Sequence, residues 1–565
     1  MAPRALFVGA DHPAAFRTIA EALAVASDRD EIHVLPGEYR EALVIDKTVR
    51  IGGDGPSDEI IIRPSASGEP CIVIQAGEPY LHDLTIDGTA SDRTLPNGAE
   101  PIAHLRIAGG TPLVEGIRLH GAGGIWIGGA GTSGEILGCV IRDSTYGIRV
   151  DTGATPRIAE NEVGSSALVG IAISGQGTRP VVRANRIYGG SGGSGIRIRD
   201  GASPQIDDNE IWGNAYAGIA ISGATTRPLV RANRIRDGRG GGLWIYDGAS
   251  PRVEDNEVWG NVQPGIAISG AGTDPHVLTN RVHDGESNGI VVADGASPRI
   301  QGNDVWGNAL PGIAIMGAGT NPLVRANKVH NGHGGGVVID GGASPRIVEN
   351  DVCDNALAGI AIIGDGTKPL IRANRVHEGR SNGIVAADGA APRIEKNEIW
   401  DNVLPGIAIN GDGTDPIVRA NHVHDGHDNG IVVDDGAAPR IVDNDIWGNV
   451  LSGIAVIGQG TNPLIRANHV HDGRTSGIYV TDGASPRIEY NEVWGNAAEG
   501  IFISGIGTTP VVIGNTVRDG LDDGIYVLDA AAPTIESNMI HDNALLAIRV
   551  DEGAEPFVGT NMIRT

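Results

Sequence analysis

Bulky aromatics, cysteines and basic residues are all in short supply in this sequence. Phenylalanine occurs only 4 times in 565 residues, against 86 glycines, and the apolar complement is mostly Val, Ile and Ala. That mix favours many short strands joined by tight turns. Three cysteines, Cys71, Cys139 and Cys353, are too few and too scattered for a disulfide framework and read as single thiols. Lys and Arg number 43 against 69 Asp and Glu, a formal charge of −26, which argues against a general nucleic-acid binder because phosphate neutralisation needs a basic surface. No apolar run is long enough to cross a membrane, and the opening "MAPRALFVGADHPAAFRTIAEALAVA" has no uninterrupted apolar core after a basic start. The expectation is a cytoplasmic chain without membrane or nucleic-acid partners, or a secreted one whose leader has been removed.

What the sequence does have is a repeat. "GIAI"-type segments begin at Gly170, Gly218, Gly265, Gly312, Gly359, Gly406, Gly453 and Gly500, and Ala547 takes the same place; all but the first step are 47 residues. Each period contains two related halves, typified by "GIAIMGAGTNPLVRANKVHNG" from Gly312 and "GIVVADGASPRIQGNDVWGN" from Gly289. In both, an aliphatic stands two places after the shared proline, Asn five places after it and another aliphatic seven places after it. Alternation within each short run reads as strand, and the Gly/Asp/Pro clusters between runs read as turns. A unit of 23 or 24 residues holding about three strands is one rung of a parallel β-helix. The Asn column runs from Asn161 through Asn327 and Asn350 to Asn561, where stacked amides can bond to one another and to the turn backbone. This is a structural device.

On these residues the sequence resembles the right-handed parallel β-helix proteins of the pectate-lyase-like superfamily, in the repeat-rich branch whose rungs read N-x-[IV]-x-x-N-x-x-x-G-[IV]-x-[IV]. The resemblance implies an all-β fold, a single-stranded right-handed parallel β-helix or solenoid. The stretch from Phe16, "FRTIAEALAVASDRDEIHVLPGEYREALVIDKTVRIGGDG", is similar to the opening of pectin methylesterases. There Phe16, Ile19, Ala22, Leu23 and Ala26 are expected to form a short N-terminal capping helix that closes the open end of the stack. The expected organisation is residues 1–30 for the first strand and cap, 31–169 for irregular first rungs, and 170–565 for regular 47-residue double rungs. A polar loop from Gly88 to Pro101 is a lid or a tolerated insertion.

Enzymes of the superfamily work with Asp, Arg, Lys or His on an exposed sheet face. The outward position of the "GIxI" strand, followed from Ala220, instead runs Trp244, Ala267, Val291, Ala314, Val338 and onward to Tyr526. A mostly apolar face transfers no protons but suits a protein partner or another copy of the chain. The residue after the ladder Asn alternates in charge, as in Glu257, Arg281, Asp304 and Lys328, which reads as a pairing ladder. Arginines at Arg231, Arg325 and Arg372 in one half-repeat, and Arg252, Arg299 and Arg346 in the other, read as partners of neighbouring acids rather than clamps on a polyanion.

Eight places after the proline stands an outward column containing Trp212, Trp259, His283, Trp306 and His330. It is either a packing ladder of stacked rings or a platform for pyranose rings; Trp244 and Tyr246 on the neighbouring strand join the second reading. For zinc, His283 and His330 lie two rungs apart, too far to share one ion, and "NHVHDGH" places no clear third ligand beside His422 and His424. No metal and no cofactor is expected.

"GHG" at Gly332 lacks the partner Asp motifs of polygalacturonases, and the two-Asp-plus-Arg core of pectin methylesterases is not evident. Asp274-Pro275-His276 resembles the D-P-H element of mannuronan epimerases, in which acid/base residues invert a uronate carbon. Here Pro275 is the repeat proline and Asp415 fills the same slot as Asp274 in another rung, so His276, with Leu278 and Thr279, is the departure from the repeat. The reading that follows is a binding or scaffold protein recognising a glycan or protein along its faces. Its alternative is a carbohydrate-active enzyme, a lyase, epimerase or hydrolase, acting on an acidic polysaccharide, with His276 and Asp274 as its catalytic candidates.

Overall fold

In a computed structural model, the structure describes residues 3–9, 15–66, 68–89, 102–121, 123–551 and 553–564. The chain divides into two compact units, residues 1–285 and 286–565. Each is a parallel β-helix built from coils of three short strands.

One coil of unit 2 shows the construction. A proline-following strand, Leu323–Arg325, leads through a sharp turn to an asparagine-following strand, Lys328–His330, and then across a glycine corner to a glycine-led strand, Val337–Asp340. Each pairs in parallel with its equivalent in the next coil: Val324 with Ile347, Val329 with Val352 and Ile339 with Ile362. Parallel ladders stack at about 4.8 Å. Alternation then decides burial. Val324, Val329, Val337 and Ile339 are at most 1% exposed, whereas Leu323, Arg325 and Lys328 point outward. The bore of each unit is thus filled by β-branched side chains that suit a pleated surface. Glycine at the corner is a steric requirement: a Cβ on Gly336 would lie 2.4 Å from Val352 Cγ1 and 2.5 Å from the Gly359 carbonyl.

The turn between the first two strands buries the Asn column. Asn350 Oδ1 accepts from both the backbone N–H and the side-chain Nδ2 of Asn327, at 2.9 and 3.0 Å, while Asn350 Nδ2 donates to the Val324 carbonyl at 3.0 Å. The same pattern links Asn350 to Asn374 and Asn374 to Asn397. The residue before the ladder Asn is held at positive φ in these coils, 51° at Ala326 and 58° at Glu349. Two further buried ladders occupy alternate coils. Asn355 accepts from Gly332 N at 3.1 Å, and Thr320 Oγ1 accepts from Gly295 N at 3.0 Å while donating to the Met316 carbonyl at 2.9 Å. These satisfy turn groups that burial would otherwise leave unpaired.

At the beginning of unit 1 the helix spans Ile19–Val25 with Ile19, Ala22 and Leu23 buried, and Ala26 is its C-cap. Thr18 accepts from Glu21 N, and the Glu41 carboxylate accepts from Ile19 N at 2.9 Å and Ala20 N at 2.8 Å, so the N-terminus is satisfied twice over. Phe16, expected on the apolar face of this helix, lies before it and forms a bridge with Val8. Thr18 caps the helix two residues further on and so excludes Phe16. The expected lid at 88–101 falls, from residue 90 on, outside the described residues.

Candidate functional site

The outward column of the glycine-led strands changes character within unit 1. From Ala220 to Tyr526 it carries no charge and is mostly small or branched aliphatic, with Trp244, Tyr479, Phe502 and Tyr526 as its aromatic members, and Arg549 follows Tyr526 in register. Before Ala220 strand register aligns Arg106 with Trp126, Trp126 with Arg149, Arg149 with Ala172, Ala172 with Arg197 and Arg197 with Ala220. These residues are 20 to 25 positions apart in the chain, on coils whose lengths differ, so the repeat phase did not bring them together. Pairing of the strands does.

Trp126 anchors one end of this face. Its indole N–H donates to Asp151 Oδ2 at 3.1 Å, and the Arg106 guanidinium lies 4.6 Å from its ring centroid. Asp151 is 6% exposed and takes a second hydrogen bond, 2.7 Å, from Arg149 Nε. With Tyr146 these side chains line a hollow of about 360 Å³. Arg197 follows, its guanidinium 5.9 Å from the Tyr146 ring centroid. Small Ala172 and Ala220 flank it in register, and Arg197 itself is half-buried. Among the described residues neither Arg106 nor Arg197 is paired to a carboxylate, in contrast to Arg149 with Asp151 and Arg199 with Asp200. Tyr216, Trp244 and Tyr246 continue the face and border two more hollows, of about 380 and 210 Å³. Trp244 is 43% exposed and packs at 4.6 Å against Tyr246. The arrangement offers cations beside aromatic rings, which suits an anionic ligand with apolar ring faces.

The asparagine-following sheets carry the aromatic column differently. In unit 1 Tyr188 stacks on Trp212 at 4.7 Å and Trp259 on His283 at 5.9 Å. In unit 2 Trp306 stacks on His330 at 5.9 Å, and His377, Trp400, His424, Trp447, His471 and Trp494 form a continuous stack with separations of 4.1 to 6.0 Å. The histidine edges meet acids: His330 Nε2 lies 2.9 Å from Asp304, and His283 Nδ1 lies 2.8 Å from Asp284. Within the stack Trp400, His424, Trp447 and His471 each have a ring on both faces, while the end ring Trp494 meets the Arg518 guanidinium, 5.0 Å from its centroid. His422 meets Trp447 edge-on and His427 bonds Asp401 at 2.8 Å, and among the described residues no group of three His, Cys, Asp or Glu is placed to hold a metal ion.

Of the arginines of the proline-following sheets, Arg231, Arg252 and Arg325 pair with acids, Arg325 with Glu349 at 2.8 Å, as does Arg419 with Asp443 at 3.1 Å, whereas Arg299, Arg346 and Arg372 have no ion pair with a carboxylate among the described residues. In the same sheet of unit 1, His276 is exposed and in register with Arg252, with Leu278 opposite Glu254. Thr279 occupies the positive-φ turn position, 53°, and donates to Asp255 at 2.6 Å, which accounts for that departure from the repeat. Asp274 lies in the turn before this strand. The structure therefore puts His276 and Asp274 on a different sheet from the basic, aromatic face.

A family model described as a right-handed β-helix region matches residues 123–282, 181–329, 277–374, 322–468 and 451–563. No curated protein matches the sequence significantly. Solved structures to which the chain is similar include the pectin methylesterase PemA of Erwinia chrysanthemi, 15% identical over 40% of this chain and 81% of that one, with a TM-score of 0.29. A DFA-IIIase of Arthrobacter chlorophenolicus A6 is 14% identical over 60% and 93%, with a TM-score of 0.33. The PL6 family alginate lyase AlyGC is 10% identical over 96% and 98%, with a TM-score of 0.29.

Proposed function

The chain belongs to the right-handed β-helix family, and from that footing we propose that it binds an acidic carbohydrate polymer along the glycine-led sheet of unit 1. The observation that carries this reading is that Arg106 and Arg197, without carboxylate partners among the described residues, stand on one strip of sheet beside the rings of Trp126 and Tyr146, in a chain of formal charge −26. Four coil steps separate them in register, about 19 Å, a span of several sugar rings. The acidic remainder of the protein repels a polyanion and so directs it to this strip. Trp126, Tyr146 and Trp244 supply the apolar surfaces against which ring faces pack.

A second reading, turnover of the same polymer, is favoured by one feature: Asp151, a buried carboxylate lining the hollow of about 360 Å³ beside Arg149 and Arg106. A rival placement of catalysis uses His276 and Asp274 on the neighbouring sheet. One experiment addresses all three. Polygalacturonate, alginate and a neutral glucan are titrated against the full chain by calorimetry, and the same mixtures are assayed for unsaturated products, reducing ends and epimerisation. Binding confined to the acidic polymers and weakened about tenfold or more by Arg106→Ala with Arg197→Ala supports the proposal, since charge-assisted contacts of this kind contribute about 1.5–3 kcal/mol each. Equal affinity for the neutral glucan would sink it. Turnover lost on Asp151→Asn supports the second reading, and turnover lost on His276→Ala the rival.

A further inference from the structure

In unit 2 the glycine-led sheet carries a regular corrugation. Its central outward column reads Ala314, Val338, Ala361, Val385, Ala408, Val432 and Ala455, alternating small and branched from one coil to the next, with register confirmed at each step. Ala314 and Ala455 are 4% and 2% exposed, Ala361 and Ala408 are half-buried like the intervening valines, and each valine carries two methyl groups beyond the Cβ at which an alanine ends. Ridges therefore recur every two coils, about 9.5 Å, with furrows of equal pitch between them. Exposed Leu310, Leu357, Leu404 and Leu451 border the face at the corner before the strand, again on every second coil. No charged residue occupies the central column as far as Tyr526.

We propose that this face is an interface between two copies of the chain, the valine ridges of one seated in the alanine furrows of the other. A second copy is the occupant that the corrugation selects, because only a surface of the same pitch fills every furrow at once, and the chain itself supplies one. Offset by one coil, each Val meets an Ala. The size agrees. Ten coils from Ala314 to Tyr526, the first seven carrying the alternation and the last three extending the face with Tyr479, Phe502 and Tyr526, span about 45 Å, and a four-residue strand plus its corner leucine about 17 Å, on the order of 800 Å² per copy, which is what a standard interface buries on each partner. The mean charge of the chain opposes association, and this is the stretch of sheet where that opposition is least. Asp340 and Asp434, the fourth residues of their strands, are carboxylates inside this area, in the next outward column.

The test is the mass of the full chain by light scattering and sedimentation from about 1 to 100 μM, concentrations that span the usual range for such interfaces. The expected result is a dimer. Val385→Lys with Val432→Lys is expected to give monomers while leaving circular dichroism and melting temperature unchanged, because both side chains point outward. Ala361→Val with Ala408→Val keeps the face apolar and fills its furrows, and is expected to weaken the dimer tenfold or more. A monomeric wild type at 100 μM, or a dimer that survives the lysine pair, overturns the proposal. So does an unchanged or tighter dimer in the valine pair, which would show unspecific apolar adhesion rather than seated ridges.

Discussion

The indole N–H of Trp126 donates to Asp151 Oδ2 at 3.1 Å, fixing an aromatic ring against the wall of the basic hollow from one coil further along the stack. Asp151 holds Arg149 by the same oxygen, so one buried carboxylate orients both an aromatic ring and a cation.

Removing that carboxylate is therefore expected to affect ligand and fold differently. Asp151→Ala frees the Trp126 ring and takes from Arg149 its hydrogen bond to Asp151. Polyuronate affinity should fall about tenfold, with a stability loss of about 1–2 kcal/mol because Arg149 retains access to water. Calorimetric titration and urea unfolding measure the two. An unchanged affinity would mean that Trp126 and Arg149 do not contact the ligand.

The Asn ladder is expected to fail locally. Asn374→Ala removes the acceptor of Asn350 N–H and Nδ2 and the donor to the Ile347 carbonyl, leaving buried groups orphaned at a cost of about 3 kcal/mol. In a solenoid each coil contacts only its neighbours, so the loss should appear as faster amide exchange around coils 347–397 and not in unit 1. Uniformly faster exchange through both units would contradict this picture.

Burial pushes the Asp434 carboxyl above its ordinary range, with Asp435 adding to the shift, and Asp434 Oδ1 has no hydrogen-bond partner. A raised carboxyl contributes stability below its unfolded-state pKa and loses that contribution as pH rises through the folded value. Asp434→Asn should therefore melt higher than the wild type at pH 7, by about 1 °C, and the two curves should converge near pH 3. A wild type that melts higher at pH 7 would show that the charged form is stabilised instead.

The thiols of Cys71 and Cys139 are 0% and 1% exposed, and burial pushes both up to about 12. Below the ordinary thiol pKa this protonated form costs nothing; above it the unfolded chain ionises first, so stability falls as pH climbs from about 8.5 towards 12. At pH 8 an aromatic disulfide reagent should titrate neither thiol in the native protein, and all three cysteines after denaturation. Rapid native reaction of Cys71 or Cys139 would refute the assignment.

How much of this could be read before the fold was known depends on whether the repeat kept its phase. Asn327 and Asn350 hold the same place in successive rungs, and Val324, Val329 and Ile339 obey a two-residue alternation, so ladder and core follow from counting. His276 stands out for the same reason, as a departure from a regular column. Arg106, Trp126, Arg149 and Arg197 do not, because they lie on early coils of unequal length where no period predicts which residues become neighbours.

The amino-acid order alone thus dictated the coil: short β-branched runs, turn residues and stacked amides encode a parallel β-helix locally, since each rung needs only the next to satisfy its hydrogen bonds. Which outward residues form a surface was settled by strand register and burial. Side chains some two dozen residues apart become neighbours about 4.8 Å apart only when their strands pair, and whether a guanidinium then finds a carboxylate, or a ring finds another ring, is a property of the assembled sheet.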